Sequence, residues 1–270
     1  MEETERKLHA LEEIFRAMGS VAIGYSSGVD STLMLAVAHR VLGDRAVAFT
    51  AVSGTFPRRE RSEAADFCRE QRIPQVEVLT DELAVHGFAK NPENRCYLCK
   101  KALFSRFLEE AAQRNLAWVC EGSNLDDLGD YRPGLQAVAE LGIRSPLREA
   151  GLTKGEIRQL SRALNLPTWD KPSYACLASR IPYGDTISRE KLELVDRAEQ
   201  LLLELGFRQM RVRLHGTVAR LEVLPEDMQA MLGKREQIVP ALKAMGLKYV
   251  AMDLQGFRTG SMNETRKTED

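Results

Sequence analysis

The chain has 270 residues, of which 44% are hydrophobic and 29% are charged, and these ordinary globular values exclude collagen-like, low-complexity and disordered classes. Its 38 Lys and Arg residues balance 39 Asp and Glu residues, and the formal net charge of −1 argues against a nucleic-acid binder while allowing a local phosphate site. The start of the chain lacks the apolar core of a signal peptide, and no stretch approaches a membrane span. Five cysteines, an odd number, favour a reducing compartment, so we expect a cytoplasmic protein.

The N-terminal half alternates between helical and apolar segments. An amphipathic helix over 5–18 is followed by four short apolar runs of strand length. The runs cover 21–25, 46–52, 75–79 and 117–122, and the helical patterns between them cover 31–42, 57–72 and 99–115. Thr153 and Glu156 form a capping box that begins a further helix over about 153–164. This alternation predicts an α/β fold in which helices cover both faces of a parallel sheet.

The C-terminal third has a different pattern, which predicts a smaller α+β domain. An irregular loop rich in Pro, Gly and Ser over 166–188 precedes it, and such a long loop is typical of a functional segment. Helices predicted over 188–205 and 225–245 each lead through a glycine into a strand, which suggests a weak internal duplication. The predicted divisions are a Rossmann-like domain over 1–167, a loop over 168–187, the α+β domain over 188–263 and a tail over 264–270.

A serine-rich loop follows the first predicted strand and opens a helix. It consists of Ser26, Ser27, Gly28, Val29, Asp30 and Ser31. Its small residues let the backbone wrap around an anion, and the helix N-terminus supplies N–H groups and a partial positive charge. Asp30 repels phosphate, so we expect it to hold a Mg²⁺ ion that bridges to the phosphates. A plain capped turn is the alternative, but α/β sheets bind ligands at the carboxyl ends of their strands.

The serine-rich loop resembles the PP-loop of ATP pyrophosphatases, which split ATP into AMP and pyrophosphate to adenylate a substrate. That superfamily usually has SGGxDS, and this chain has Ser27 in place of the first glycine. A second segment, EGSNLDDLGDYRPG over 121–134, resembles the second nucleotide-side motif of the superfamily. The resemblance implies an ATP-binding PP-loop domain with further ATP contacts from Asn124, Asp130 and Arg132.

The five cysteines form two groups with different predicted roles. Cys68 and Cys120 lie in a helix and an apolar strand, so we expect them to pack in the core. Cys96 and Cys99 form a CxxC pair, and Cys176 lies in the irregular loop. Three interpretations fit this trio: a metal site with either a 4Fe–4S cluster or zinc, a redox dithiol with a separate Cys176, or an incidental helical pair with a loop thiol.

Nearly the whole chain resembles the LarE family of ATP-dependent sulfur transferases. The segments that carry this resemblance are YSSGVDSTL, DYRPG, CLASRIPYG, RVRLH and LQGFRTGSMN. The family adenylates carboxylates of a pyridinium biscarboxylate mononucleotide and replaces oxygen with sulfur, in the biosynthesis of the nickel-pincer nucleotide cofactor. In single-cysteine members the cysteine that matches Cys176 gives up its sulfur and becomes dehydroalanine. This chain resembles the three-cysteine branch, which implies a 4Fe–4S cluster held by Cys96, Cys99 and Cys176.

One predicted strand carries alternating cationic and apolar residues. Arg211, Arg213 and His215 share a face because strand side chains alternate with a period of two. Such a face fits a bound phosphate, and the alternative is a solvated face with Glu222 as a salt-bridge partner. The LarE resemblance favours a bound acceptor. It implies that Ser179, Arg180, Arg211 and Arg213 bind the acceptor and that Asp30, Glu199 and Asp227 hold Mg²⁺.

These assignments predict a reaction in two stages. An acceptor carboxylate attacks the α-phosphate of ATP, pyrophosphate leaves, and sulfur from Cys176 or from the cluster then displaces AMP. A tRNA thiolase of the same superfamily is the alternative enzyme, although the charge balance offers no basic surface. A non-catalytic nucleotide and Fe–S sensor is the alternative outside enzymes. We expect a small-molecule nucleotide partner and no membrane partner, and the sequence leaves open a homo-oligomer and the sulfur donor.

Overall fold

The structure, a computed structural model, describes residues 2–129, 133–258 and 260–261. The chain divides into two units. One comprises Met1–Glu82 and Cys96–Tyr174, and the other comprises Leu83–Arg95 and Ala175–Asp270. The linear division expected from the sequence kept 83–95 with the N-terminal domain, whereas the structure groups this segment with the C-terminal part of the chain.

The first unit is built on a parallel sheet. Its strands are β1 (Val21–Gly24), β2 (Ala46–Val52), β3 (Gln75–Leu79) and β4 (Trp118–Cys120). The helices of this part of the chain are α1 (Glu2–Met18), α2 (Val29–Leu42), α3 (Arg58–Gln71), α4 (Arg95–Gln113), α5 (Pro133–Glu140), α6 (Pro146–Glu149) and α7 (Lys154–Ala163). The strand order is β3-β2-β1-β4, and every neighbouring pair is parallel. The predicted α/β fold is therefore confirmed.

Alternation along β1 shows how both faces of the sheet are covered. Val21 and Ile23 pack in a core with α1, α2 and α7, while Ala22 packs in a second core with α4 and α5. Strands that are buried on both faces read as continuous apolar runs, which is why 21–25 and 46–52 show no alternation with polar residues.

The register of the sheet brings two loops to one edge. Ile23 of β1 pairs with Cys120 of β4 in parallel. The loops that follow these two strands therefore leave the carboxyl edge of the sheet as neighbours. A Cβ added at Gly122 would lie 3.4 Å from the backbone N of Ser31, so the loop after β4 passes close to the start of α2.

The second unit contains a three-stranded sheet. Its elements are α8 (Arg189–Glu204), β5 (Met210–His215), β6 (Val218–Val223), α9 (Met228–Gly233), α10 (Arg235–Ala244) and β7 (Tyr249–Met252). The central strand β6 pairs antiparallel with β5 and parallel with β7. Gly206 and Gly246 follow α8 and α10 with φ values of +98° and +104°, a region that favours glycine. Both predicted helix–glycine–strand passages are therefore present.

The prediction of one helix over 225–245 is wrong. The segment forms a 3₁₀ turn (Pro225–Asp227), α9 and α10, and Lys234 separates the two helices. Glycine inside a helix costs about 1 kcal/mol relative to alanine, and a proline has no N–H to donate to the preceding turn. Gly233 and Pro240 therefore weaken a continuous helix, although the apolar periodicity runs through both residues.

A helix that crosses a membrane must be both long and apolar. Helix α4 spans 19 residues but carries charged residues along its length. Within the described part of the chain, no helix is both long enough and apolar enough to cross a membrane.

Candidate functional site

The serine-rich loop lies between β1 and α2, at the carboxyl edge of the parallel sheet. Ser31 Oγ donates to the Gly28 carbonyl at 3.2 Å and lies 3.2 Å from Ser26 Oγ. The Ser26 N–H donates to Ser31 Oγ at 3.3 Å. Gly28 is the N-cap of α2, and the first N–H groups of a helix have no intrahelical partners. This arrangement can bind the phosphates of a nucleotide.

Ser27 has a left-handed backbone conformation inside this loop. Its φ is +51°, and the residue is 1% exposed. This conformation costs a residue with a Cβ about 1 kcal/mol, which explains why glycine is usual at this position of a PP-loop. The serine therefore keeps the shape of the loop at the cost of local strain.

Asp30 is held by two side chains from other elements. Asn124 Nδ2 donates to Asp30 Oδ1 at 3.2 Å, and Lys154 Nζ forms an ion pair with Asp30 Oδ2. Lys154 begins α7 after the capping box of Thr153 and Glu156, which the structure confirms. Lys154 was not predicted from the sequence. The available signal was a cation in the first turn of a helix, where the helix dipole disfavours it unless a carboxylate lies nearby.

Glu121 organises the loop after β4. Its buried carboxylate accepts from the Ser145 hydroxyl at 2.6 Å, from the Ser123 hydroxyl at 2.8 Å and from Lys100 at 3.2 Å. Burial alone raises the pKa of Glu121, but the charge of Lys100 and the two hydroxyls outweigh burial and hold that pKa below its usual value. The ionised carboxylate therefore orders the loop that carries Asn124. Two further predicted ATP contacts lie outside the described residues, namely Asp130 and Arg132.

The cysteines differ in burial. Cys68 and Cys120 are buried in the core as predicted, and burial raises the pKa of the Cys68 thiol to about 12. Cys96 and Cys99 lie at the start of α4, where they are exposed and half-buried, while Cys176 is exposed and belongs to the second unit. Across residues 2–129, 133–258 and 260–261, no group of three His, Cys, Asp or Glu side chains could hold a metal ion. The predicted cluster draws its thiols from both units, and it stays a prediction.

Arg180 is fully buried and anchors the turn that carries Cys176. Its Nε and Nη2 atoms donate to the two carboxylate oxygens of Glu199 at 2.8 Å each. Its Nη1 atom donates to the carbonyl oxygens of Ala175 at 2.6 Å and Cys176 at 3.2 Å. Arg180 was also expected to contact the acceptor, and that contact stays a prediction.

The predicted Mg²⁺ ligands of the second unit are Glu199 and Asp227, and Glu199 already has protein partners. Glu199 Oε1 accepts the Val212 N–H at 3.0 Å in addition to the Arg180 guanidinium. A carboxylate in such a buried pair can ligate a metal only by breaking the pair, which costs several kcal/mol. Asp227 ends the 3₁₀ turn before α9 and is not grouped with Glu199 in any metal-binding cluster of the described residues. The geometry therefore gives Glu199 an arginine partner in place of Mg²⁺.

The two arginines of β5 are buried, while His215 at the end of the strand is exposed. Arg213 donates to Glu222 through Nε at 3.0 Å and Nη2 at 2.9 Å, and its Nη1 donates to the Ser179 carbonyl at 2.8 Å. The Ser179 hydroxyl accepts from Arg180 at 2.9 Å. The pairing of Arg213 with Glu222 matches one alternative from the sequence, but the expected solvated face is wrong because the pair is buried.

The buried arginines and glutamates of the second unit form a charged cluster. Its described members are Arg180, Arg211, Arg213, Glu199 and Glu222. Arg220 at its border pairs with both Glu222 and Asp253. Buried positive charge is costly in an apolar interior and attracts an anion.

Arg211 carries the clearest electrostatic signature of the cluster. Its Nη1 donates to the Met210 carbonyl at 2.7 Å, and its guanidinium lies 4.9 Å from the centre of the Phe257 ring. Burial and then the positive charge of Arg180 lower the pKa of Arg211 to about 9. The negative charge of a bound anion would offset both effects and raise this pKa, so this part of the cluster is suited to an anionic ligand.

A parallel α/β sheet with a serine-rich phosphate loop at its carboxyl edge defines a nucleotide-binding protein of the PP-loop ATP pyrophosphatase class. The chain is 26% identical over 181 residues to the glutamine-hydrolyzing GMP synthase of Teredinibacter turnerae, which covers 58% of this chain and 34% of that protein. No protein-family profile matches the chain.

Two relatives align along most of the chain. The chain is 43% identical over 261 residues to the uncharacterized protein slr1717 of Synechocystis, covering 96% of this chain and 97% of the relative. It is 36% identical over 246 residues to the pyridinium-3,5-bisthiocarboxylic acid mononucleotide synthase of Lactiplantibacillus plantarum, covering 91% of this chain and 89% of the relative. The chain belongs to the LarE family of ATP-dependent sulfur transferases.

Proposed function

We propose that this protein adenylates the carboxylates of a pyridinium biscarboxylate mononucleotide and converts them to thiocarboxylates, in the biosynthesis of the nickel-pincer nucleotide cofactor. The observation that carries the proposal is the 36% identity to the Lactiplantibacillus plantarum synthase over 91% of this chain. The serine-rich loop at the carboxyl edge of the sheet supports the ATP-dependent half of the reaction.

In the first stage, an acceptor carboxylate attacks the α-phosphorus of ATP and pyrophosphate leaves, which forms an acyl-adenylate. The loop from Ser26 to Ser31 binds the phosphates through helix N–H groups and hydroxyls. Asp30 is the residue that would hold Mg²⁺, and the ion would supply positive charge near the leaving pyrophosphate. In this structure the carboxylate of Asp30 pairs with Lys154.

In the second stage, a sulfur nucleophile attacks the acyl carbon and AMP leaves. Where the sulfur is that of Cys176, loss of the Cys176 α-proton and cleavage of its Cβ–Sγ bond then release the thiocarboxylate and leave dehydroalanine. We assign Cys176 to this stage because the residue is exposed, whereas its carbonyl oxygen accepts two hydrogen bonds. Arg180 donates to the Cys176 carbonyl at 3.2 Å, and the Ser179 N–H donates to the same oxygen at 2.9 Å. A fixed backbone with an accessible side chain is the arrangement that a sulfur nucleophile needs.

The C-terminal unit binds the acceptor in this proposal. A phosphate or carboxylate of the acceptor beside these arginines would raise the pKa of Arg211 toward its ordinary value. We therefore keep Arg211 and Arg213 as acceptor contacts. Ser179 and Arg180 support them, because Arg213 donates to the Ser179 carbonyl and Arg180 to the Ser179 hydroxyl.

A 4Fe–4S cluster on Cys96, Cys99 and Cys176 is a further part of the proposal. Its support is chemical: thiolates are the ligands of such clusters, and Cys96 and Cys99 both reach the surface at the start of α4. The described residues do not bring three thiols into one metal-binding group, so neither stage above is routed through the cluster. We place the protein in a reducing cytoplasm, where thiol ligands stay reduced.

The test is turnover with ATP, Mg²⁺ and a pyridinium biscarboxylate mononucleotide, with pyrophosphate release and the mass of the acceptor as readouts. We expect acceptor-dependent pyrophosphate release and a mass increase that corresponds to sulfur replacing oxygen. Cys176→Ser should keep pyrophosphate release and lose sulfur transfer, whereas the core variant Cys68→Ala should keep both. A wild-type protein that releases no pyrophosphate with this acceptor contradicts the proposal.

Iron and acid-labile sulfide in anaerobically purified protein test the cluster separately. We expect about four iron atoms per chain, lost in Cys96→Ser. Protein without iron whose Cys176 becomes dehydroalanine after turnover would exclude the cluster and assign Cys176 as the sacrificial sulfur donor.

A further inference from the structure

The serine-rich loop depends on a residue far away in sequence for its shape. We propose that Lys171 is a positioning residue that holds Ser27 in its left-handed conformation and thereby orients the loop for ATP. The inference rests on the proposed ATP-dependent activity and adds a residue to it. Lys171 lies after α7, in a segment without helix or strand.

Lys171 Nζ donates to two atoms of Ser27 at once. The distances are 2.9 Å to the carbonyl oxygen and 3.1 Å to the hydroxyl oxygen. The two residues are 144 positions apart, and both are shielded from water: the Lys171 side chain is 12% exposed and Ser27 is 1% exposed. A hydrogen bond from a charged donor is stronger than a neutral one, so this contact can hold a strained backbone.

The lysine is itself held in place. Its Nζ lies 2.5 Å from Glu63 Oε2 and 3.7 Å from Glu60 Oε1, both on α3. Arg158 of α7 donates to the Lys171 carbonyl at 2.9 Å, which fixes the backbone. An ammonium has three N–H donors, and the two oxygens of Ser27 and the Glu63 carboxylate match that number. Lys171 is therefore a fixed clamp on the loop.

The clamp matters because position 27 carries a side chain. Glycine adopts a positive φ about as readily as a negative one, so a loop with glycine here needs no outside support. Serine at φ +51° is strained, and without Lys171 it would relax toward negative φ. That change rotates the flanking peptide groups and turns the N–H groups of the loop away from the phosphates. Lys171 thus compensates for the serine in this chain.

The test measures the Kd for ATP with Mg²⁺ by titration calorimetry, without acceptor, in two backgrounds. Lys171→Met should weaken ATP binding about tenfold in the wild-type background, as expected for a charged hydrogen bond. In the Ser27→Gly background the same substitution should weaken binding less than about threefold, because glycine needs no clamp. Lys234→Met is the matched control, since Lys234 is also half-buried and donates to a carbonyl, that of Leu205 in the second unit, and its Kd should not change.

Melting temperatures separate positioning from folding. A merely structural Lys171 would lower the melting temperature in both backgrounds and leave the Kd for ATP unchanged. That result overturns the proposal, and so does an equal loss of affinity in both backgrounds, which would assign Lys171 a purely electrostatic role. A wild-type protein that does not bind ATP overturns the proposed function together with this inference.

Discussion

Arg180 and Glu199 form an ion pair in which neither side chain is more than 5% exposed. Removing two charges from water costs several kcal/mol per ion, and only mutual attraction and further hydrogen bonds offset that cost. Here the carbonyls of Ala175 and Cys176 and the Val212 N–H provide those further bonds. The pair is thus part of what holds the Cys176 turn.

Glu199→Gln should lower the free energy of unfolding by about 3–5 kcal/mol, because it leaves the buried Arg180 without its counter-charge. Urea unfolding of the two proteins measures the difference. The control is Glu236→Gln, whose carboxylate pairs with Arg235 at the surface, where the side chains are 67% and 86% exposed. That substitution should change stability by less than about 0.5 kcal/mol. Similar effects of the two substitutions would contradict the structural role of Glu199.

Single residues also show what can and what cannot be predicted from the sequence. The motif from Ser26 to Ser31 predicted where the anion-binding loop lies, since a short motif after a strand is local information. It could not predict Lys154 or Lys171, which reach this loop across 124 and 144 residues of sequence. Those contacts depend on tertiary packing, and no periodic pattern in the sequence predicts them.

At the scale of elements, Leu83–Arg95 shows how a short segment can support a functional loop. Asn91 has a left-handed backbone, with φ of +52°, and is fully buried. Its Nδ2 donates to the carbonyl oxygens of Ile181 at 3.1 Å and Pro182 at 2.6 Å, and its Oδ1 accepts from Arg95 at 2.5 Å. These bonds join 83–95 to the loop after Arg180, which is why the structure places this segment in the second unit.

Asn91→Gly keeps the left-handed backbone accessible and removes the three side-chain bonds. We expect it to lower the free energy of unfolding by about 1–3 kcal/mol, because the carbonyls and Arg95 lose buried partners. Amide hydrogen exchange over 181–187 should also become faster. Asn115→Gly is the control, since Asn115 has φ of +56° but is exposed, and it should change neither quantity. Equal exchange rates over 181–187 in all three proteins would contradict the anchoring role.

At the scale of the whole molecule, the net charge of −1 conceals an uneven distribution. The second unit buries Arg180, Arg211 and Arg213, while Glu121 and Glu199 are buried carboxylates in separate units. Burial alone raises the pKa of both, but Lys100 and Arg180 outweigh it and lower each pKa. Folding therefore favours the ionised form of both groups.

The stability of the protein should fall in acid. A carboxylate whose folded-state pKa lies below its ordinary value of 4.5 stabilises the fold fully above that value, and the contribution is lost as the pH falls through the folded-state pKa. We expect a nearly constant free energy of unfolding between about pH 7 and 5 and a steep decrease below about pH 4.5. Urea unfolding at a series of pH values measures this profile, and Glu121→Gln should reduce its acid slope. Stability that increases on acidification would contradict the prediction.

The sequence by itself determined the parallel sheet, the position of the phosphate loop, the two core cysteines and the family resemblance. Each of these depends on periodicity or on a contiguous motif, and both can be recognised in the sequence alone. Only the tertiary structure decided the partner of Glu199, the burial of Arg211 and Arg213, and the placement of 83–95. The physical reason is that the energy of a charge depends on its burial and on partners brought near by folding. The sequence by itself does not distinguish a buried charged residue from an exposed one.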